Sequence, residues 1–92
     1  MNYIVIDEFF SAKVAEQEAI AINGRLPTLD ELLDLDIDTN HKSLIFWTKD
    51  KKDSSNYWCV NKSINFKTLQ HRNCTAINTI VVFDDDTVLP AD

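Results

Sequence analysis

The segment Arg25-Leu26-Pro27-Thr28-Leu29-Asp30-Glu31-Leu32-Leu33 carries the strongest local signal in the chain. Thr28 and Glu31 have the spacing of a capping box, in which each side chain satisfies a backbone donor of the other residue. Pro27 stiffens the entry and disfavours helix before Thr28. A short helix therefore starts at Thr28, with Leu29, Leu32 and Leu33 turned inward and Asp30, Asp34, Asp36 and Asp38 outward or ending it. Acids in a first turn favour the positive end of a helix, so Asp30 and Glu31 have a structural reason before any functional one.

On the amino-terminal side, Asn2-Tyr3-Ile4-Val5-Ile6 is β-branched and aromatic and reads as a strand covered on both faces. Ser11 is placed to cap a helix in which Ala12, Ala15, Ala19 and Ile22 form an apolar stripe, with Gly24 as the left-handed residue that ends it. On the carboxyl-terminal side the period changes to two. Leu44, Phe46 and Thr48 alternate with Ile45, Trp47 and Lys49. The polar run Asp50 to Ser55 turns the chain into a returning strand, Asn56 to Lys62, followed by strands at Ile64 to Leu69 and Ala76 to Phe83. The fold class expected is α+β, with two N-terminal helices packed on a mostly antiparallel sheet of four to five strands. One domain, 1–92, is expected, with 84–92 as a loose acidic tail.

Hydrophobic residues at 45% and charged residues at 26% suit an ordinary globular domain rather than a disordered chain. No run approaches the roughly 20 apolar residues that cross a bilayer. Asp7 and Glu8 interrupt the start where a secretion signal would be basic and then apolar, so a cytoplasmic setting is expected. The net charge of −6 is unevenly spread. Residues 1–41 hold nine acids against Lys13 and Arg25; residues 42–83 hold Asp50 and Asp53 against seven bases; residues 84–92 add four acids. An acidic helical half and tail thus flank a basic sheet segment, on which Lys49, Lys51, Lys52, Lys62, Lys67 and Arg72 are candidates for a local positive surface.

The order strand, helix, Arg25-Leu26-Pro27-Thr28 with Glu31-Leu32, then an antiparallel meander containing Phe46-Trp47 and Tyr57-Trp58, resembles the C-type-lectin-like superfamily. It is most similar to the bacterial Lcl-type C-terminal domains and the formylglycine-generating-enzyme fold. The resemblance spans about residues 10–83 and implies a scaffold. Gly24 stands where a tryptophan often precedes the arginine, the long glycine-rich loops are missing, and Thr79 to Phe83 replaces the usual closing strand. The paired redox cysteines and the calcium-and-sugar loop of the family have no counterparts in this chain.

Catalytic signatures are sparse. Gly24 is the single glycine, which removes phosphate loops, dinucleotide turns and the nucleophile elbow. His41, Cys59, His71 and Cys74 are zinc-type ligands without zinc-type spacing, and Asp84, Asp85 and Asp86 lack the glycine turn and distal glutamate of a calcium loop. Cys59 with His41 or His71 is the one nucleophile-and-base candidate, and nothing in the sequence marks it as activated. The chain is therefore expected to be non-enzymatic, with no cofactor and no metal.

A binding role is easier to justify. Tyr57 and Trp58 are adjacent on a strand and cannot both enter one core, so an aromatic beside Lys49, Lys51 and Lys52 is available to anchor an interface, together with Trp47. Asp30, Asp34, Asp36 and Asp38 form an acidic set able to imitate phosphates in a basic groove of a partner. The expected function is a protein-interaction module that docks on a protein or a protein–nucleic acid complex. Small acidic products of phages and mobile elements, such as anti-CRISPR inhibitors, supply the analogy. Two alternatives stand beside it: a lectin-like small-ligand or glycan-binding domain using Trp47 and Trp58, and direct nucleic-acid binding by the basic sheet segment.

Overall fold

Alternation along the strands and small residues along one helix decide which face each element buries. A computed structural model describes residues 2–37 and 44–84. Chain order is β1 (Asn2–Ile6), α1 (Ala12–Ala21), α2 (Leu29–Asp34), β2 (Ile45–Lys51), β3 (Asn56–Asn61), β4 (Phe66–His71) and β5 (Thr79–Phe83). Asp38, His41 and the expected tail beyond Asp84 lie outside the described residues.

Both helices stop and start for readable reasons. Ala12, Ala15 and Ala19 are buried, so α1 lies close on the strands. Ser11 occupies its N-cap position, yet its hydroxyl makes no capping bond, contrary to the expectation. At the other end Asn23, not Gly24, takes the left-handed conformation, with φ 64°. Asn23 N–H donates to Ile20 O at 3.0 Å and Gly24 N–H to Ala19 O at 2.9 Å, which is a Schellman closure. Gly24 is needed for space instead. A Cβ there would collide with the Val81 side chain and come within 2.9 Å of the Phe83 ring. The capping box of α2 forms as read: Glu31 N–H donates to Thr28 Oγ1 at 3.1 Å, and Thr28 N–H to Glu31 Oε1 at 2.8 Å.

The expected single sheet is two. β1 pairs with β5, and β2, β3 and β4 form an antiparallel meander. The third strand begins two residues later than the sequence suggested, at Phe66, because Lys62 to Asn65 form the turn. After β4 the chain is held against α1, with Ala12 N–H donating to Arg72 O and Phe10 N–H to Ile77 O, and it emerges on the far edge of β2. There it makes one parallel bridge, Phe46 with Asn78, before diverging to pair with β1. The helices are not both N-terminal, since β1 comes first. Nor is β1 covered on both faces as expected, for Asn2 and Ile4 are exposed.

The two helices cover opposite faces of the strands. Trp47, Tyr57, Cys59, Val81 and Phe83 join the alanines of α1 in one cluster. Their strand neighbours Phe46, Val60, Ile80 and Val82 join Leu32 of α2 in the other. Since successive strand residues point to opposite faces, every residue of β5 is buried.

Candidate functional site

On α1 the residues left off the alanine stripe include Lys13, Glu16 and Ile20, whose spacing puts them on one exposed ridge. That ridge faces the β2–β3 hairpin across an open groove. One part, about 470 Å³, is lined by Lys13, Glu16, Lys51, Ser54, Tyr57, Arg72 and Asn73. The adjoining part, about 390 Å³, is lined by Glu16, Ile20, Arg25, Leu26, Lys49, Lys51 and Tyr57. Glu16, Lys51 and Tyr57 are shared, so the two are continuous.

Local bonds fix the walls. Asp53 Oδ1 accepts from the backbone N–H of Ser55 and of Asn56, both at 2.9 Å, and shapes the hairpin turn. These bonds, with the Asn56 side chain, hold the Asp53 carboxyl below the usual carboxylate range. β2 has a register shift between Trp47 and Lys51, the kind of irregularity that bends a strand. Arg72 N–H donates to Ser55 O at 2.8 Å while Arg72 O accepts from Ala12, tying the residue to both walls. Tyr57 forms the floor, 7% exposed, with Lys51 Nζ 5.3 Å from its ring centre and Trp47 edge-on at 5.8 Å.

The groove is positive. Among the described residues Lys13, Lys49, Lys51 and Arg72 have no ion-pair partner, and Glu16 is the single acid lining it. Arg25, at one end, is already committed: its guanidinium meets Glu31 at 2.7 and 2.8 Å and Asp84 at 2.9 Å. Asp84, where the tail was expected to begin, is thus held to the body of the molecule.

The residues singled out from sequence are divided by the fold. Lys49, Lys51 and Tyr57 meet in the groove, and Lys52 is exposed in the turn beside it. Trp47 is completely buried and donates from Nε1 to Phe10 O at 2.8 Å, so it offers no contact surface. Trp58 is half-buried on the opposite sheet face, under Lys67 Nζ at 4.8 Å. The tryptophan pair invoked for a glycan surface is therefore not assembled, because Trp47 shares its face with Cys59 and Trp58 does not. Asp30, Asp34 and Asp36 are exposed around α2, across the sheet from the groove. Lys62 leaves the proposed basic surface altogether. It is buried, and its Nζ donates to Leu32 O at 2.8 Å and Asn65 Oδ1 at 2.6 Å, capping the end of α2.

Lys13, Glu16 and Ile20 were not expected in a site. Their spacing off the alanine stripe was visible; which neighbour they face was not. Cys59 lies in the core, where burial, and secondarily Cys74, push its thiol up to about 12. It stays protonated at neutral pH, the reverse of an activated nucleophile. Among the described residues no three His, Cys, Asp or Glu side chains converge as a metal site, and no helix is long and apolar enough to cross a membrane. Comparison of the chain with protein families, curated proteins and solved structures gives no match.

Proposed function

We propose that the chain is a non-enzymatic interaction module whose α1–hairpin groove receives an acidic segment of a partner protein. The observation that carries this reading is the set Lys13, Lys49, Lys51 and Arg72, drawn from three separate parts of the chain to one groove without an ion-pair partner among the described residues. Like charges gathered this way repel one another, and an anionic ligand relieves the repulsion.

A protein acid suits the groove better than a nucleic acid does. Binding of single strands draws on exposed aromatic faces for base stacking, and the groove's aromatic, Tyr57, is buried with Lys51 over its ring. As an inhibitor, the module acts by masking an acidic surface. The exposed acids near α2 supply a second surface on the opposite side.

The test is fluorescence anisotropy with two labelled probes, a glutamate-rich peptide and a single-stranded oligonucleotide of matched charge, at low and high salt. The peptide is expected to bind more tightly, to weaken with salt, and to lose about tenfold in affinity on Lys13→Glu with Lys51→Glu. No peptide binding at low salt, or tighter binding of the oligonucleotide, defeats the reading.

A further inference from the structure

The outer edge of β4 is open. β4 ends the meander, and its six residues pair with β3 in unbroken register from Asn61–Phe66 to Asn56–His71. Among the described residues the far side of that edge meets one backbone bond, at its very end, where Cys74 N–H donates to His71 O at 2.9 Å. The other edge of the meander is covered: on β2, Trp47 N–H donates to Asn78 O and Lys49 N–H to Pro27 O. Unpaired strand edges are templates for another strand, and proteins blunt them with bulges, prolines or charged side chains, lysine above all. β4 has no proline and no bulge and carries the single lysine Lys67, and two bulky apolar side chains stand exposed where it begins, Phe66 on the strand at 63% and Ile64 in the preceding turn at 69%.

We propose that β4 accepts an extended segment of the partner as an added strand along Phe66–Gln70, and that beyond this strand the segment's acids reach Arg72 at the mouth of the groove. This rests on the groove reading and adds the partner's conformation. Charge selects the occupant. No Asp or Glu occurs from Ser54 to Phe83, and β4 with its following turn carries Lys67 and Arg72. A second copy pairing edge to edge brings no acid to these cations, whereas an acid-bearing strand complements them. A nucleic acid has no alternating N–H and C=O ladder to offer.

The ends of the edge differ, which orients the segment. At the Phe66 end Asn65 Nδ2 donates to Leu33 O, placing that end beside α2 and its neighbouring acids Asp34 and Asp36. Apolar residues of the partner therefore belong at Phe66 and Ile64, and its acids at Arg72.

The experiment is selection of peptides from a random displayed library against the full chain at low salt, followed by NMR of the isotope-labelled chain with a selected synthetic peptide. Expected are peptides with branched or aromatic residues toward one end and acids toward the other, cross-strand contacts to the Phe66–Gln70 backbone, and about tenfold weaker binding on Phe66→Ser or Arg72→Glu. Retained dispersion of the backbone amide NMR signals in the variants shows that they fold. Peptides that lose affinity on Lys51→Glu but make no cross-strand contact to β4 would overturn the added-strand proposal and leave the groove reading standing. Selection of no peptide, or of peptides insensitive to Lys51→Glu and to the β4 variants alike, overturns both.

Discussion

Lys62 shows how far a residue's role departs from its place in the charge pattern. It belongs to the basic half of the sequence, yet its ammonium is enclosed and spent on the carbonyl of Leu32 and the amide oxygen of Asn65. Burial pulls its pKa down, and Asp36 and Asp34 counter that pull. Thr79 is the opposite case. Its hydroxyl is buried without a hydrogen-bond partner among the described residues, on a strand where every neighbour is apolar or paired. A buried unsatisfied hydroxyl costs about 1 kcal/mol or more, so Thr79→Val is expected to stabilise the fold by about that amount. Urea unfolding of the two proteins measures it, and a lower midpoint for the variant would show that the hydroxyl is satisfied after all.

At the scale of elements, the start of α2 is where several weak effects are combined. The capping box joins Thr28 to Glu31, Asp50 Oδ2 accepts from Leu29 N–H at 2.6 Å, and Glu31 also holds Arg25, which in turn reaches Asp84. The Arg-Leu-Pro-Thr motif thus clasps a helix end to the end of β5 through the paired bonds between Arg25 and Val82. Glu31→Gln keeps the shape and removes the charge, and is expected to destabilise by about 1–2 kcal/mol. Hydrogen bonds from Arg25 first, and the Thr28 backbone amide next, outweigh burial and lower the Glu31 carboxyl from 4.5 to about 2. Because the folded value lies below the unfolded one, the stabilisation is complete above about 4.5 and drains away as pH falls toward about 2. The stability gap between wild type and Glu31→Gln should therefore be constant near neutrality and close across that acid window. A gap that does not change with pH would mean that the carboxylate's charge is immaterial to the clasp.

For the whole molecule, the sheet separates two electrical fields. Face alternation places the acids near α2 behind Phe46 and Val60, and the α1–hairpin groove in front of Tyr57. Asp34→Lys with Asp36→Lys should then leave binding of the glutamate-rich probe within about twofold of wild type, since charges separated by more than a Debye length are largely screened. A loss or gain of tenfold at moderate salt, read by the same anisotropy measurement, would mean that the two fields act as one surface. Much of this organisation was legible in the chain. The capping box, the alanine stripe and the period-two segment gave α2, α1 and the meander because their causes are local: a hydrogen bond across one helical turn, or alternation along one strand. The groove was half legible. Lys49, Lys51 and Tyr57 were visible as neighbours on a hairpin, whereas Lys13 and Glu16 are remote in sequence and join only because the turn after β4 is bonded to Ala12.

The sequence by itself determined the element types, the helix boundary at Thr28, and the division of charge between its halves. Only the tertiary structure decided that the strands form two sheets, that the helices take opposite faces, and that Trp47 is enclosed while the β4 edge is left open. Pairing partners are chosen by how both faces of every strand are covered at once, which is a property of the packed chain and not of any one segment.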